Sequence, residues 1–168
     1  WQTTRGTLCF DGDYVYEWDI LAIDYQQDFG DIIVGVLQDD GVRITELNKD
    51  QYSNESYVDK CTAWSYHSSL QEQKECGYRN MTKSSRDFGP GCGGEVEWGK
   101  GFRKGDVLTT IYDSKAKTLS YRVRTKDGKQ YDDGIAYENV DGNIFPFITV
   151  YNSLAKAKLL DIQYYAHK

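Results

Sequence analysis

The residues best placed for chemistry lie in "YEWDILAID" (16–24), where Glu17 and Asp19 stand two positions apart. In an extended strand that spacing puts both carboxylates on one face. Two carboxyl groups beside a scissile bond are the equipment of a glycosidase, one as acid and one as base or nucleophile. The positions where a second glutamate would complete the set hold Leu21 and Ala22, and Asp24 falls on the opposite face. Glu95 and Glu97 in "EVEWG" repeat the spacing within a glycine-rich stretch. Either pair reads more simply as the solvated face of a strand, and no glycosidase activity is expected.

The remaining reactive residues lead to the same expectation. His67 in "SYHSSL" is the one plausible general base, and no G-x-S-x-G elbow accompanies it. "GPGCGG" lacks the lysine and the following helix of a phosphate loop. The acidic turns "DGD" and "QDDG" lack the spaced acids and closing glutamate of a calcium loop. Cys9, Cys61, Cys76 and Cys92 are scattered with no C-x-x-C pair, and His67 and His167 sit in different contexts. That pattern gives no metal-ligand set. The sequence therefore predicts no catalytic residues, no metal and no cofactor. The cysteines read as mostly buried thiols, and the sequons at Asn54 and Asn80 as accidental.

At 168 residues, 39% hydrophobic and 14% aromatic, the chain fits one compact domain, rich in the side chains that favour strands. Its net charge of −6 argues against nucleic acid as a partner, since phosphate binding needs a basic stripe. Residues 1–84 carry 7 basic and 15 acidic groups (7 − 15 = −8), and residues 85–168 carry 13 and 11 (13 − 11 = +2). Interleaved strands from both halves would mix these charges in space. No apolar run is long enough to span a bilayer, so no membrane insertion is expected. The opening Trp1, without an initiator methionine, reads as a piece of a larger multidomain protein. A cytoplasmic location is expected, with a secreted or luminal one as the alternative suggested by the two sequons and the even cysteine count.

Nearly every segment alternates with period two, the signature of half-buried strands. In "YVYEWDILAI" (14–23), Tyr16, Trp18, Ile20 and Ala22 share one face. "GDIIVGVL" (30–37) reads as a buried strand, and "VRITEL" (42–47) after "QDDG" makes 32–47 a hairpin. "CTAWSY" (61–66) is the next strand. Residues 67–101 are polar and then glycine-rich, and read as a long functional loop or a set of short edge strands. "DVLTTIY" (106–112) and "TLSYRVR" (118–124) form a meander, with Leu119, Tyr121 and Val123 inward and Ser120, Arg122 and Arg124 outward. The Gly105-Asp106 step reads as the turn before a strand. Pro146 inside "NIFPFITVY" marks an edge or a bulge. The C-terminal "SLAKAKLLDIQYYAHK" offers both helical and strand spacings and is assigned as a final strand. The fold class is all-β, a sandwich of two antiparallel sheets.

These segments, in this order, resemble a SPRY domain over residues 7–164. "YVYEWDILAI" resembles the family's "YWEVEV"-type strand, and "GDIIVGVL" its "IGV" strand. "AWSYHSS" with "ECGY" is similar to the W-S-Y…G-Y region. "GFRKGDVLTTIYDSKAKTLSYRV" matches the signature best, and "GIAYENVDGNIFPFITVYN" resembles the domain's end. Asp127-Gly128 stands where the family often has Asn-Gly, and Leu108-Thr109 replaces the usual Ile-Gly. The resemblance implies a non-catalytic adaptor that binds a peptide or protein surface through loops at one end of the sandwich, often recruiting substrate for a ubiquitin ligase or serving a scaffold. The contact positions it implies are Tyr57, Asp59 and Lys60, then Val150, Tyr151 and Asn152, with Tyr66, His67 and Arg79 on the adjoining loop. Trp18 and Trp64 read as core. The alternative function is a carbohydrate-binding or degenerate glycosidase-like sandwich.

Overall fold

The computed structural model describes residues 2–24, 32–38, 62–69, 76–82, 95–150 and 155–167. Among these the regular structure is entirely strand: β1 (Gln2–Arg5), β2 (Tyr14–Asp24), β3 (Ile32–Gln38), β4 (Ala63–Ser69), β5 (Cys76–Thr82), β6 (Glu95–Lys100), β7 (Val107–Asp113), β8 (Thr118–Arg124), β9 (Gln130–Tyr137), β10 (Ile144–Val150) and β11 (Lys156–Ala166). They form a six-stranded sheet in the order β1-β10-β3-β4-β5-β6 and a five-stranded sheet in the order β11-β2-β7-β8-β9. Every pairing is antiparallel. Among the described residues no helix is long and apolar enough to cross a membrane.

Alternation in sequence becomes burial in the sandwich. Tyr16, Trp18, Ile20 and Ala22 of β2 meet Leu119, Tyr121 and Val123 of β8 and Val34, Val36, Trp64 and Tyr66 of the facing sheet in one core. Burying such side chains supplies the main drive for the two sheets to stack. The tyrosines fit because their hydroxyls find backbone carbonyls, as buried polar atoms must. Tyr137 donates to Ser65 O at 2.6 Å, Tyr112 to Val140 O at 3.1 Å, and Tyr66 to Lys100 O. The Tyr66 and Tyr121 rings stack across the sheets with centroids 4.8 Å apart. Leu37, Ala63 and Phe147 make a second, smaller apolar cluster on the outer face of the six-stranded sheet.

Three expectations need correction or restriction. Of the two readings of residues 67–101 the strand one is nearer, since β5 and β6 lie within them and extend the six-stranded sheet, β6 at its edge and β5 inside it. Pro146 is in neither an edge strand nor a bulge, because β10 runs between β1 and β3 and pairs with β3 in unbroken register. Its carbonyl accepts from Gly6 N at 2.8 Å. A residue's N and C=O leave a strand on the same side, so the missing N–H faces the point just past the end of β1. The β3 ladder needs no donor there, and Gly6 leaves room, since a Cβ at Gly6 would lie 2.7 Å from the Pro146 ring. The hairpin over 32–47 falls largely outside the described residues. β3 pairs instead with β4, and Gln38 N donates to Thr62 O at 2.8 Å.

Candidate functional site

β2, β4, β6, β8 and β10 all finish at one end of the sandwich, and β3, β5, β7, β9 and β11 start there. Two connections at this end are described completely, residues 101–106 and 125–129. Asp106 joins them. One carboxylate oxygen accepts from Arg103 N at 2.8 Å and the other from Lys126 N at 2.9 Å. The side chain is only 4% exposed, so these are charge-assisted bonds shielded from water. Its backbone is held as well: Asp106 N donates to Arg103 O at 2.9 Å, and Ala22 N donates to Asp106 O at 3.0 Å. Gly105 N reaches Ala22 O at 2.7 Å with φ of 89°, a left-handed conformation that a glycine adopts without strain. The Gly-Asp step is thus more than a turn. It clamps two loop tips to the end of β2.

The 125–129 connection closes on itself through Gly128 N to Thr125 O and Thr125 N to Lys129 O, both 2.8 Å. The Thr125 hydroxyl, then Lys129, hold the exposed Asp127 carboxyl below its usual range. Around this frame Arg103, Lys104, Arg124, Lys126 and Lys129 are exposed. Lys104 pairs with Asp24 at 3.2 Å, Lys129 with Asp127 at 3.4 Å and Arg124 with Asp19 at 3.9 Å. Lys126 has no ion-pair partner among the described residues. Among the described residues these basic side chains cluster on or next to the two connections, in a protein of net charge −6. The sequence reading missed Arg103, Lys126 and the clamping role of Asp106. Its available signal was the basic spacing in "FRKGD" and "TKDGK".

The expected contact residues separate. Tyr66 is not on a loop: it lies in β4, 1% exposed, with its ring in the core. His67 follows it in β4, half-buried and on the other face of the sheet. Arg79 lies in β5, opposite Tyr66 in register, so it too belongs to a strand. Val150 ends β10 and packs against the main core. Tyr57, Asp59, Lys60, Tyr151 and Asn152 fall outside the described residues. β4 begins at Ala63, opposite Leu37, whereas Val150 lies opposite Ile32, so these two strand termini occupy opposite ends of the sheet.

The outer face of the five-stranded sheet carries the Glu17–Asp19 pair. Glu17 accepts from the Tyr165 hydroxyl at 2.6 Å, and Asp19 from the Thr109 hydroxyl at 2.6 Å. The bond to Glu17, then burial, pushes the Tyr165 phenol up to about 12. His167 Nε2 lies 2.7 Å from Asp113 Oδ1, and Arg122 lies 3.5 Å from Asp132. These groups satisfy one another, as on a solvated strand face. Among the described residues no group of three or more His, Cys, Asp and Glu side chains could hold a metal ion.

No protein-family model matches the sequence, and no curated protein matches it significantly. Solved structures do resemble the fold. The SPRY domain of human HERC1 aligns with a TM-score of 0.57 at 17% identity, over 95% of this chain and 81% of that one. The TRIM65 PSpry domain aligns at 0.59 with 9% identity, over 95% and 71%. The Emp46p carbohydrate recognition domain, in its metal-free form, aligns at 0.64 with 10% identity, over 97% and 76%. The chain therefore has the two-sheet fold that SPRY domains and lectin-type carbohydrate recognition domains share.

Proposed function

We propose that this chain is a non-catalytic interaction domain that binds a peptide or protein surface at the end of the sandwich where β10 finishes. In a larger protein it would act as a substrate-recruiting or scaffolding arm. The observation that carries this reading is the Asp106 clamp, which fixes two adjacent loop tips while Arg103, Lys104 and Lys126 stay exposed on them. Loops held on a rigid frame lose little entropy on binding, and arginine is a favoured interface anchor. The exposed Arg103, Lys104 and Lys126 favour a partner segment bearing carboxylates. Tyr151 and Asn152, which follow β10 in sequence, remain proposed contacts, whereas Tyr57, Asp59 and Lys60 precede β4, whose start lies at the opposite end, and are not kept as part of this surface. Tyr66 is withdrawn because it is buried.

A second reading, carbohydrate binding, rests on the polar outer face of the five-stranded sheet, where Glu17, Asp19, Arg122 and Tyr165 stand side by side. The bonds they already make, Tyr165 to Glu17, Thr109 to Asp19 and Arg122 to Asp132, favour it less, since a sugar would have to displace them. Capture of partners from cell lysate by the wild type, by Arg103→Glu/Lys126→Glu and by Tyr151→Ala/Asn152→Ala separates the readings. A protein partner held by the wild type and lost by the folded charge-reversal variant supports the first reading. A partner retained by both variants refutes it, and binding to a glycan array with no protein captured favours the second reading.

A further inference from the structure

β11 is the terminal strand of its sheet, hydrogen-bonded to β2 on one side and to no described strand on the other. An edge of 11 residues presents a long row of N–H and C=O groups outside the sheet's own ladder, which proteins usually keep short or blunt with charge; one of them, Ile162 N, already donates to Asp161 Oδ1 at 2.9 Å. Here the lysines are confined to one half. Lys156 and Lys158 occupy the first half, exposed and with no ion-pair partner among the described residues. A bulge at Leu160 follows, and in the second half Ile162 and Tyr164 alternate with the polar Asp161 and Gln163.

Register shows which way the apolar row points. Leu159, Ile162 and Tyr164 lie opposite Ile20, Trp18 and Tyr16, all core residues, so they face inward toward the other sheet. Yet they are 54%, 42% and 65% exposed. On this flank the opposing sheet ends in β1, a strand of four residues, too short to cover a strand of 11. The Tyr164 ring stands edge-on to Tyr14 at 5.7 Å, which extends the uncovered apolar surface onto β2.

We propose that β11 takes up one extended segment of another polypeptide as an added antiparallel strand. The segment would carry apolar side chains in its N-terminal half, against Ile162 and Tyr164, and Asp or Glu in its C-terminal half, against Lys158 and Lys156. Antiparallel addition continues the pattern of the sheet and is the slightly more stable pairing. Charge decides against a second copy of the chain. The one carboxylate in β11, Asp161, already accepts from Ile162 N and the Gln163 amide, so self-pairing leaves the lysines of both copies without acidic partners.

The test uses fluorescence anisotropy with a labelled peptide as long as β11, alternating Val with Thr in its first half and Glu with Thr in its second. A control carries Lys for Glu, and another is N-methylated at alternate amides. The Glu peptide is expected to bind roughly tenfold tighter than the Lys peptide, the size that reversing two cross-strand charge pairs gives. N-methylation, or Ile162→Lys with Tyr164→Lys, should abolish binding. Lys158→Glu, at an exposed site, should weaken the Glu peptide and strengthen the Lys peptide, which no loss of folding can mimic. Equal binding of both peptides, no binding, or binding unchanged in the Ile162→Lys/Tyr164→Lys protein overturns the proposal. So does self-association lost in that variant, which would make a second copy the occupant.

Discussion

Replacing Asp106 with alanine removes both arms of the clamp at the proposed binding end. The carboxylate makes two bonds to backbone amides, at 2.8 and 2.9 Å, from a side chain that is nearly inaccessible to water. Hydrogen bonds to a charged group contribute about 1.5–3 kcal/mol each. The donors belong to Arg103 and Lys126, whose exposed positions let water replace part of what is lost. The alanine variant also escapes the cost of burying a charge. The net effect is a loss of roughly 2–4 kcal/mol in unfolding free energy, or about 5–12 °C in Tm for a chain of this size. Asp106→Asn keeps one acceptor oxygen, so it should lose about half as much. Guanidinium unfolding gives the free energies, and amide exchange at Arg103 and Lys126 reports the clamp directly. The alanine variant should exchange both amides faster while the β8 amides stay protected. If its denaturation midpoint matches the wild type, or if both amides stay protected, Asp106 does not hold the two loops.

Two further predictions bear on the sandwich itself. A Cβ on Gly35 would lie 2.0 Å from Trp64 O across the β3–β4 ladder, so Gly35→Ala must push two central strands apart; a cost of about 3 kcal/mol or more is expected in urea unfolding, and a wild-type midpoint would show that the ladder has slack. Burial, then Asp141 and Asp113, pushes the Tyr112 phenol up to about 12, and Tyr165 is raised to about 12 by Glu17, against an ordinary value of 10.0. Above pH 10 the unfolded chain therefore gives up protons that the folded chain keeps, so stability present below pH 10 should fall as pH rises toward 12. Phenolate absorbance should show Glu17→Gln lowering the titration of Tyr165 and leaving that of Tyr112 in place, and a flat stability profile over this range would contradict both assignments.

The strands were legible where each residue's face follows from its neighbours two places away. "TLSYRVR" coincides with β8, and Leu119, Tyr121 and Val123 point inward as its alternation requires. The final strand was decided between two spacings by the all-β context, and β11 bears it out. β5 was not legible, because "CGYRNMT" lacks a clean alternation, and β6 was only partly so, because "EVEW" alternates but stands among glycines that read as loop. Pro146 misled for a related reason. A proline rules out one hydrogen bond, and only the three-dimensional end of β1 shows that none was needed there.

The candidate site was harder, because a contact residue is defined by what surrounds it rather than by its own type. Tyr66 is instructive: Trp64 reads as core, and strand parity puts Tyr66 on the same face, so the sequence already held the argument against its exposure. Asp106 is the opposite case. Its partners are the amides of Arg103 and Lys126, and nothing in "KGD" points 20 residues ahead to the second. The same physics links the two residues. A buried tyrosine and a buried aspartate each survive in the interior because a backbone group completes them, Lys100 O for Tyr66 and two N–H groups for Asp106. Both tie the start of the 101–106 connection, or its end, to the sandwich. The loop that carries Arg103 is therefore fixed at both ends by side chains of the core. A binding surface built there would keep its shape while the exposed residues on it change, and the partner would be chosen by charge on a rigid connection rather than by a loop that folds around it.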